Sequence, residues 1–538
     1  MNPETVFLYG APGSGKTTVG RSLALALDLH FHDLDAEIEA RSGQTVQELF
    51  ASQGEAGFRA MERAELQRIL LEQAGGIIAL GGGTLLDPQN RALIEARGPV
   101  LLLSAPAEVL AARLQADPRP RPLLAGDLTA RLAELLERRA AHYASFPLQL
   151  RQPSTGSATS SPEQAAWQAQ RCLGMFRLKS MGAYDVRILP GGLDPVGAML
   201  RQRGLGGPIA LVSDSNVGPL YAGQVLASLQ AAGYSASLLE IPAGEQDKTI
   251  QTTARLWDGF LAAGLERGST VLALGGGVVS DLAGFAAATY LRGVRWAALP
   301  TSLLAMVDAS LGGKTGADLP QGKNLIGAFH PPSLVLADPA VLHTLPEAEL
   351  RSGLAEALKA GLIADPRLFE LCGQVFKPGG AALDEIVRRA MAVKIQVIEA
   401  DPYEQGWRAV LNLGHTVGHA VELVSGFRLR HGEAVAIGLV VEARLAEELL
   451  LAEPGLTETI RSALLDLGLP VQIPPELDGQ AILKAMGSDK KRVGGKVLFA
   501  LPVKIGLARI GIEVDEIRRR HALGIGTARP EPQSAGPA

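Results

Sequence analysis

The sequence has very little cysteine and no long apolar run. Its 538 residues include only two cysteines, Cys172 and Cys372, which are far apart and lack Cys-x-x-Cys spacing. This argues against a disulfide framework or a thiolate zinc site and fits a reducing cytoplasm. No stretch approaches the roughly 18 apolar residues of a membrane span. The Gly-rich loop that begins at Gly10 leaves no room for a signal peptide, so we expect a cytoplasmic protein with no membrane segment.

An excess of charge of one sign is also absent. The formal net charge is −5, and no long block of Lys or Arg appears. Binding to nucleic acid or to an anionic membrane is therefore not expected. The length predicts two or three domains.

The segment "TVFLYGAPGSGKTTVGRSLALAL" predicts a strand, a Gly-rich loop and a helix. Gly10, Gly15, Lys16 and Thr17 fill the pattern G-x-x-x-x-G-K-[ST] in that context. Backbone N–H groups of such a loop surround phosphates, and the helix N-terminus adds a favourable dipole. Lys16 is predicted to reach the β- and γ-phosphates of ATP, and Thr17 to hold Mg²⁺. The predicted nucleotide-binding residues are Gly13, Ser14, Gly15, Lys16, Thr17 and Thr18.

Several weaker features follow in order along the chain. Asp33 and Asp35 come after an apolar stretch, Arg59 lies in a helical pattern, and a strand ends in three glycines, 81–83. The loop "PRPRPLLAG" is typical of a closing lid. Together with the phosphate loop, these features resemble shikimate kinase over nearly all of residues 1–172.

This resemblance implies roles for individual residues. Lys16 and Asp33 are the catalytic candidates, with Asp33 supporting Mg²⁺, and Arg121 is expected to close over ATP. The residues implied to hold shikimate are Asp35, Arg59, Gly82 and Arg139. The family's Arg-x-Pro-x-Tyr pattern is altered, because Ala141 stands where proline is expected.

Residues 151–164 are rich in Ser, Thr and Gly and are predicted to form a loop. A short helical stretch follows this loop and is expected to close the kinase-like domain, and a new strand pattern begins at "YDVRILPGG". We place the boundary near residue 175, so that residues 1–175 form a P-loop domain with a parallel sheet and helices.

After residue 180, strands such as "IALVSD" and "STVLALGGG" alternate with helical stretches. This pattern predicts a parallel sheet covered by helices. The glycines 275–277 would let a pyrophosphate approach a helix N-terminus, although they fit a simple tight turn as well. Lys314, Lys323 and Asn324 lie in what reads as Gly-rich loops, where long polar side chains usually contact a ligand.

These segments and "NLGHTVGHA" together resemble 3-dehydroquinate synthase from about Tyr184 to about residue 515. The resemblance implies an NAD-binding α/β domain at 176–345 and a helical metal and substrate domain at 346–538. The positions that match NAD-binding ones are Asp214, Asn216, Glu245, Lys248, Gly276, Gly277, Asp281, Thr301, Ser302, Lys314, Lys323 and Thr344.

His415 and His419 are four residues apart and share one helix face, so both are candidates for one metal. Glu356 and His431 are the other candidates. Thr416 stands where an H-E-x-x-H motif has its glutamate, which disfavours protease-like chemistry. The resemblance assigns Zn²⁺ or Co²⁺ to Glu356, His415 and His431. It leaves His419 facing the substrate, to donate to a phosphate or move a proton.

The implied reaction converts 3-deoxy-D-arabino-heptulosonate 7-phosphate to 3-dehydroquinate and phosphate, and NAD⁺ is regenerated within it. The substrate has a phosphate and a carboxylate, which both need cations. The matching polar positions are Arg292, Lys314, Asn324, Lys359, Lys394, Arg408, Asn412 and Lys490, with Lys314, Arg408, Asn412 and His419 as catalytic candidates.

The sequence thus predicts a bifunctional shikimate-pathway enzyme that acts on small molecules and forms a homodimer through its synthase half. Two alternatives remain. The second unit could be another sugar-phosphate cyclase or a zinc polyol dehydrogenase. In the other alternative, the P-loop domain has no kinase activity and binds nucleotide only to regulate the synthase unit.

Overall fold

The computed structural model describes residues 5–72, 75–117, 127–152, 161–377, 379–488, 492–493 and 496–525. The chain divides into two compact units, Met1–Arg177 and Leu178–Ala538. Within the described ranges, no helix is both long enough and apolar enough to cross a membrane.

The first unit contains a five-stranded parallel sheet in the order β2-β3-β1-β4-β5. Its strands are β1 (Thr5–Tyr9), β2 (Phe31–Asp33), β3 (Gly76–Ala79), β4 (Val100–Ser104) and β5 (Leu148–Arg151). Its helices are α1 (Lys16–Leu27), α2 (Leu34–Ser42), α3 (Val46–Glu72), α4 (Pro88–Glu95), α5 (Ala107–Ala116), α6 (Leu128–Ala144) and α7 (Pro162–Leu173).

The central strand of this sheet determines where the nucleotide loop lies. Every residue of β1 is buried, which is typical of a parallel strand covered on both faces. Separate apolar clusters pack against its two sides, one around Leu8 and one around Phe7. Because parallel strands end at one edge, the loop after β1, Asp33 at the end of β2 and the glycines after β3 are brought together.

The second unit is built on a seven-stranded sheet in the order β6-β7-β14-β11-β10-β8-β9. The strands are β6 (Met175–Leu178), which contains the boundary between the units, β7 (Tyr184–Ile188), β8 (Ile209–Asp214), β9 (Ala236–Ile241), β10 (Thr270–Gly275), β11 (Arg295–Pro300) and β14 (Leu334–Ala337). An antiparallel hairpin of β12 (Lys314–Leu319) and β13 (Gly322–Phe329) is inserted between β11 and β14. The helices of this part are α8 (Val196–Gln202), α9 (Gly223–Ala231), α10 (Ile250–Ala262) and α11 (Gly277–Thr289).

The rest of the second unit is mainly helical, as predicted. Its helices are α12 (Glu347–Ala364), α13 (Pro366–Cys372), α14 (Leu383–Ala400), α15 (His415–Val424), α16 (His431–Glu448), α17 (Leu456–Asp466), α18 (Gly479–Ser488) and α19 (Glu516–Ala522). A small antiparallel sheet joins β15 (Arg492–Val493), β16 (Lys496–Lys504) and β17 (Leu507–Glu513). Short 3₁₀ or π turns cover Thr84–Leu86, Gly218–Ala222, Glu245–Asp247, Tyr290–Arg292, Ala305–Ala309, Pro339–Thr344 and Trp407–Asn412.

One local expectation was wrong. Lys314, Lys323 and Asn324 do not lie in loops but on the strands of the β12–β13 hairpin. The glycines there have a packing role instead, because Gly316 pairs with Gly327 and a Cβ on Gly327 would lie 2.2 Å from the Thr315 carbonyl oxygen.

Candidate active sites

The phosphate loop of the first unit is closed by backbone geometry that glycine alone adopts easily. Gly13 and Gly15 have φ of 78° and 85°, in the left-handed region. Helix α1 then begins at Lys16, whose Nζ donates to the carbonyls of Gly10 (2.9 Å) and Ala11 (3.2 Å). The lysine charge therefore lies over the loop, where transferring phosphates would be placed.

Thr17 and Asp33 meet beside this loop. The Thr17 hydroxyl donates to Asp33 Oδ2 at 2.6 Å, and the other carboxylate oxygen of Asp33 caps α2 by accepting from Ala36 N at 3.4 Å. A hydroxyl next to a carboxylate offers the oxygen ligands that Mg²⁺ prefers.

The predicted shikimate residues gather around the glycine turn after β3. A Cβ on Gly81 would lie 3.0 Å from Asp35 Oδ1, and a Cβ on Gly83 would lie 2.3 Å from an Arg59 guanidinium nitrogen. Arg59 forms a 2.8 Å ion pair with Glu62, which is fully buried. Burial lowers the pKa of Arg59, but Glu62 and Glu55 outweigh this effect and hold the pKa above its usual value, so the guanidinium stays charged.

Arg139 reaches the same turn from α6. It is buried, and it donates a hydrogen bond to the Gly82 carbonyl oxygen, which also accepts from the Tyr9 hydroxyl at 3.3 Å. The structure therefore brings Asp35, Arg59, Gly82 and Arg139 together. Thr18 is exposed on α1, and the predicted lid residue Arg121 lies outside the described residues.

In the second unit, three of the four metal candidates converge. Single ligand atoms of Glu356, His415 and His431 all lie within 4.8 Å of one another. Glu356 Oε1 is 3.5 Å from His415 Nε2 and 3.3 Å from His431 Nε2. Among the described residues, no donor reaches this buried oxygen with standard hydrogen-bond geometry. Burial raises the pKa of Glu356, but the charges of Lys359 and His431 lower it below its usual value.

Two further contacts orient the histidines. His415 Nδ1 lies 3.1 Å from the Leu413 carbonyl oxygen, so Nε2 is the ring nitrogen that faces Glu356. His431 Nδ1 lies 3.5 Å from Glu422, another carboxylate. Such outer contacts fix the tautomer and ring orientation of metal-binding histidines. His419 is adjacent, with its ring centroid 4.9 Å from that of His415, but it is not in the three-residue group.

The helices that carry these histidines cross unusually closely. A Cβ on Gly438 of α16 would lie 1.9 Å from the Gly414 carbonyl oxygen, directly before α15. Buried Glu442, one turn further along α16, accepts hydrogen bonds from Gly414 N (2.5 Å) and Val417 N (3.3 Å) at the start of α15. The spacing of His415 and His431 is therefore set by glycine contacts and a carboxylate cap.

Cations surround the three-residue group. Lys359 Nζ lies 2.5 Å from Glu356 Oε2 and donates to the Leu411 carbonyl. Lys394 pairs with Asp308, and the pKa of Asp308 is lowered because Lys394 and Lys359 outweigh the effect of its burial. Nearby, Glu404 pairs with Lys314. Burial raises the pKa of Glu404, but Lys314, Arg408 and Asn412 lower it below its usual value.

The predicted NAD positions line the carboxyl edge of the sheet. Lys248 Nζ lies 2.6 Å from Asp281 and donates to Asn324 at 2.7 Å. Lys323 pairs with Glu422 at 3.0 Å and lies 3.6 Å from Glu245, which links this group to the histidines. Asp214 is the last residue of β8, and Asn216, Thr301 and Ser302 closely follow strand ends. Gly276 and Gly277 lie at the start of α11, whereas Thr344 is the last residue of the 3₁₀ turn that follows β14.

One predicted cation, Arg292, does not join these groups. Arg292 is exposed on a turn with φ of 68°, and among the described residues it has no hydrogen bond or ion pair with the groups above. Lys490 lies outside the described residues. Conversely, Glu62, Asp308, Glu404 and Glu422 are part of the sites although the sequence interpretation did not single them out. Of the four, Asp308 was the easiest to recognise as a candidate site residue from the sequence, because it lies shortly before the Gly-containing segment "SLGGK" and after a predicted strand.

Comparison with known proteins decides the family. The family model described as 3-dehydroquinate synthase N-terminal matches residues 238–352, and the one described as 3-dehydroquinate synthase C-terminal matches 353–492. A 3-dehydroquinate synthase of Synechocystis sp. is 46% identical over 342 residues, covering 62% of this chain and 95% of the relative. The chain belongs to the 3-dehydroquinate synthase family. A family member from Xanthomonas axonopodis pv. citri is also 46% identical, over 62% of this chain and 93% of its own.

The first unit matches a different family. The model described as shikimate kinase covers residues 12–168. The chain thus joins a shikimate kinase domain to 3-dehydroquinate synthase domains, and it is a bifunctional enzyme of the shikimate pathway with kinase and lyase activities. The predicted function is confirmed at this level.

Two solved structures resemble the second unit. The 2-epi-5-epi-valiolone synthase of Streptomyces hygroscopicus subsp. jinggangensis, with NAD⁺ and Zn²⁺ bound, is 32% identical with a TM-score of 0.58, over 63% of this chain and 95% of that one. A 2-deoxy-scyllo-inosose synthase complexed with carbaglucose-6-phosphate, NAD⁺ and Co²⁺ is 25% identical with a TM-score of 0.59, over 66% of this chain and 100% of that one.

Proposed function

We propose that the first unit transfers phosphate from MgATP to shikimate, and that the second converts 3-deoxy-D-arabino-heptulosonate 7-phosphate to 3-dehydroquinate with NAD and Zn²⁺ or Co²⁺. The observation that carries the second assignment is the buried Glu356 oxygen faced by the Nε2 atoms of His415 and His431. One carboxylate and two imidazoles are a donor set that suits zinc and leaves a position open for substrate.

In the kinase unit, each group has a distinct role. Lys16 neutralises the transferring phosphate, and Thr17 with Asp33 holds Mg²⁺. Arg59 and Arg139 bind the shikimate carboxylate, and Asp35 and Gly82 hold the rest of the ring. Since phosphoryl transfer depends on positioning and charge, these contacts supply most of the catalysis.

In the synthase unit, the chemistry supplied by the bound metal and NAD is polarisation of a substrate hydroxyl and reversible hydride transfer. The chain's own residues bind and orient the substrate. Lys314, Lys359, Lys394 and Arg408 bind its phosphate and carboxylate, with Asn412 as a neutral donor. His419, beside the metal group but outside it, holds or moves a proton at the substrate.

The arrangement of the whole chain is part of the proposal. The kinase domain ends near residue 175, and the NAD-binding and metal domains meet near residue 345, before α12 begins. A cytoplasmic location is supported by the scarcity of cysteine. A homodimer through the second unit rests on the family resemblance, and sedimentation of the purified chain would test it.

Two assays on the full chain test the proposal. Lys16→Ala should abolish shikimate-dependent ADP formation and leave phosphate release from the heptulosonate phosphate intact, while Glu356→Gln should do the reverse. ADP formation that does not depend on shikimate would point to a regulatory P-loop domain. Equal turnover of a sugar phosphate that lacks the carboxylate would favour another sugar-phosphate cyclase.

A further inference from the structure

A buried phenol and an imidazole lie beneath the glycine turn of the kinase unit. Tyr9 is the last residue of β1 and fully buried, and His142 lies on α6, 133 positions further along the chain. The Tyr9 oxygen is 3.3 Å from the Gly82 carbonyl oxygen and 3.2 Å from His142 Nε2. None of the roles assigned above uses either side chain.

The direction of this chain of hydrogen bonds follows from the number of protons. Tyr9 has one hydroxyl proton and donates it to Gly82, so its oxygen must accept from His142, which requires the tautomer with a proton on Nε2. Burial raises the pKa of Tyr9, so the phenol remains a donor. Burial and the charges of Arg91 and Arg139 lower the pKa of His142, so its ring is neutral near pH 7.

His142 lies in the last turn of α6, directly after Ala141, which stands where the family pattern has proline. A proline at position 141 would lack the N–H that a helix interior needs and would clash with the preceding turn. With Ala141, α6 continues without interruption to Ala144. This last turn places His142 against Tyr9, with ring centroids 5.7 Å apart in an edge-on arrangement.

We propose that Tyr9 and His142 are positioning residues for the shikimate subsite. Together with Arg139, Tyr9 saturates both lone pairs of the Gly82 carbonyl. The peptide that must face shikimate is therefore fixed in orientation, and Arg139 is fixed with it. His142 holds the phenol in the rotation that this requires. This inference rests on the proposed kinase function and adds to it two residues that do not touch substrate.

The test is shikimate kinase kinetics on the full chain. Tyr9→Phe keeps the ring packing and loses only the hydroxyl, so the KM for shikimate should rise about three- to tenfold, the loss expected for one neutral hydrogen bond. The KM for ATP and kcat should stay within about twofold. His142→Leu should raise the KM for shikimate as well, whereas His142→Gln should leave this KM near its original value because the amide can donate to Tyr9. The double variant Tyr9→Phe/His142→Leu should have nearly the same KM as Tyr9→Phe alone.

A matched control separates positioning from general loosening. Tyr234→Phe removes a phenol that donates to the Leu205 carbonyl oxygen at 2.6 Å in the second unit, and it should leave shikimate kinetics unchanged. The proposal is overturned if Tyr9→Phe leaves the shikimate KM unchanged, if both KM values rise together, or if the two single changes add independently. Absence of shikimate phosphorylation in the unaltered chain would instead refute the proposed function itself.

Discussion

The two histidines of α15 are expected to differ when each is replaced by alanine. His415→Ala removes one of three ligand atoms that lie within 4.8 Å of one another. The two that remain, on Glu356 and His431, cannot complete the set. Changes to outer contacts alone typically weaken metal binding by about 10–100-fold, so loss of a ligand should weaken it by at least that much.

His419→Ala leaves all three ligand atoms in place, because its ring lies beside that of His415 without belonging to the group. We therefore expect it to retain about one zinc ion per chain, because all three protein ligands of a catalytic zinc site remain. Its turnover should still fall by about 10²–10⁴-fold if it moves a proton or donates to the phosphate.

The assay combines metal analysis after dialysis with 3-dehydroquinate formation. Shikimate phosphorylation by the same preparations serves as the internal control, because neither histidine lies in the kinase unit. Equal loss of zinc from both variants would contradict the assignment of His419, because the two histidines would then act as joint ligands.

Three other results are expected. Separate fragments cut after residue 175 should each be soluble and retain one activity, because each unit has its own core; inactive fragments from an active full chain would contradict this. Glu422→Gln removes the carboxylate beside His431 and should weaken zinc retention by about tenfold, measured by competition with a chelator; unchanged retention would exclude an orienting role. Glu62→Gln removes the buried charge that holds Arg59 and should raise the shikimate KM by about fivefold without changing the KM for ATP; a parallel rise in both would contradict the assignment.

The sequence predicted those parts of the sites that lie in one short segment or match a family pattern. The phosphate loop needs only a strand, glycines and a helix in succession, so Lys16 and Thr17 could be placed in advance. His415 and His419 could be placed on one helix face for the same reason. The parallel sheets followed from alternating strand and helix patterns.

The parts of the sites that could not be predicted from the sequence depend on contacts between elements that are distant along the chain. Glu422 is one acidic residue among many until α15 and α16 pack and bring it to His431. Tyr9 reads as an ordinary apolar strand residue, and only the fold brings it to His142. The hairpin that carries Lys314 was mistaken for loops because its glycines, which allow close strand pairing, are also the residues that mark turns.

The close crossing of α15 and α16 makes this enzyme unequally tolerant of change. Gly438 has no functional group to offer, yet any side chain there would meet the Gly414 carbonyl and force apart the helices that hold His415 and His431. Replacing a ligand alters which atoms bind the metal, whereas replacing this glycine alters how far apart they are. Selection for catalysis therefore acts on a residue that has no side chain, and a survey of tolerated substitutions should find Gly438 as invariant as the ligands themselves.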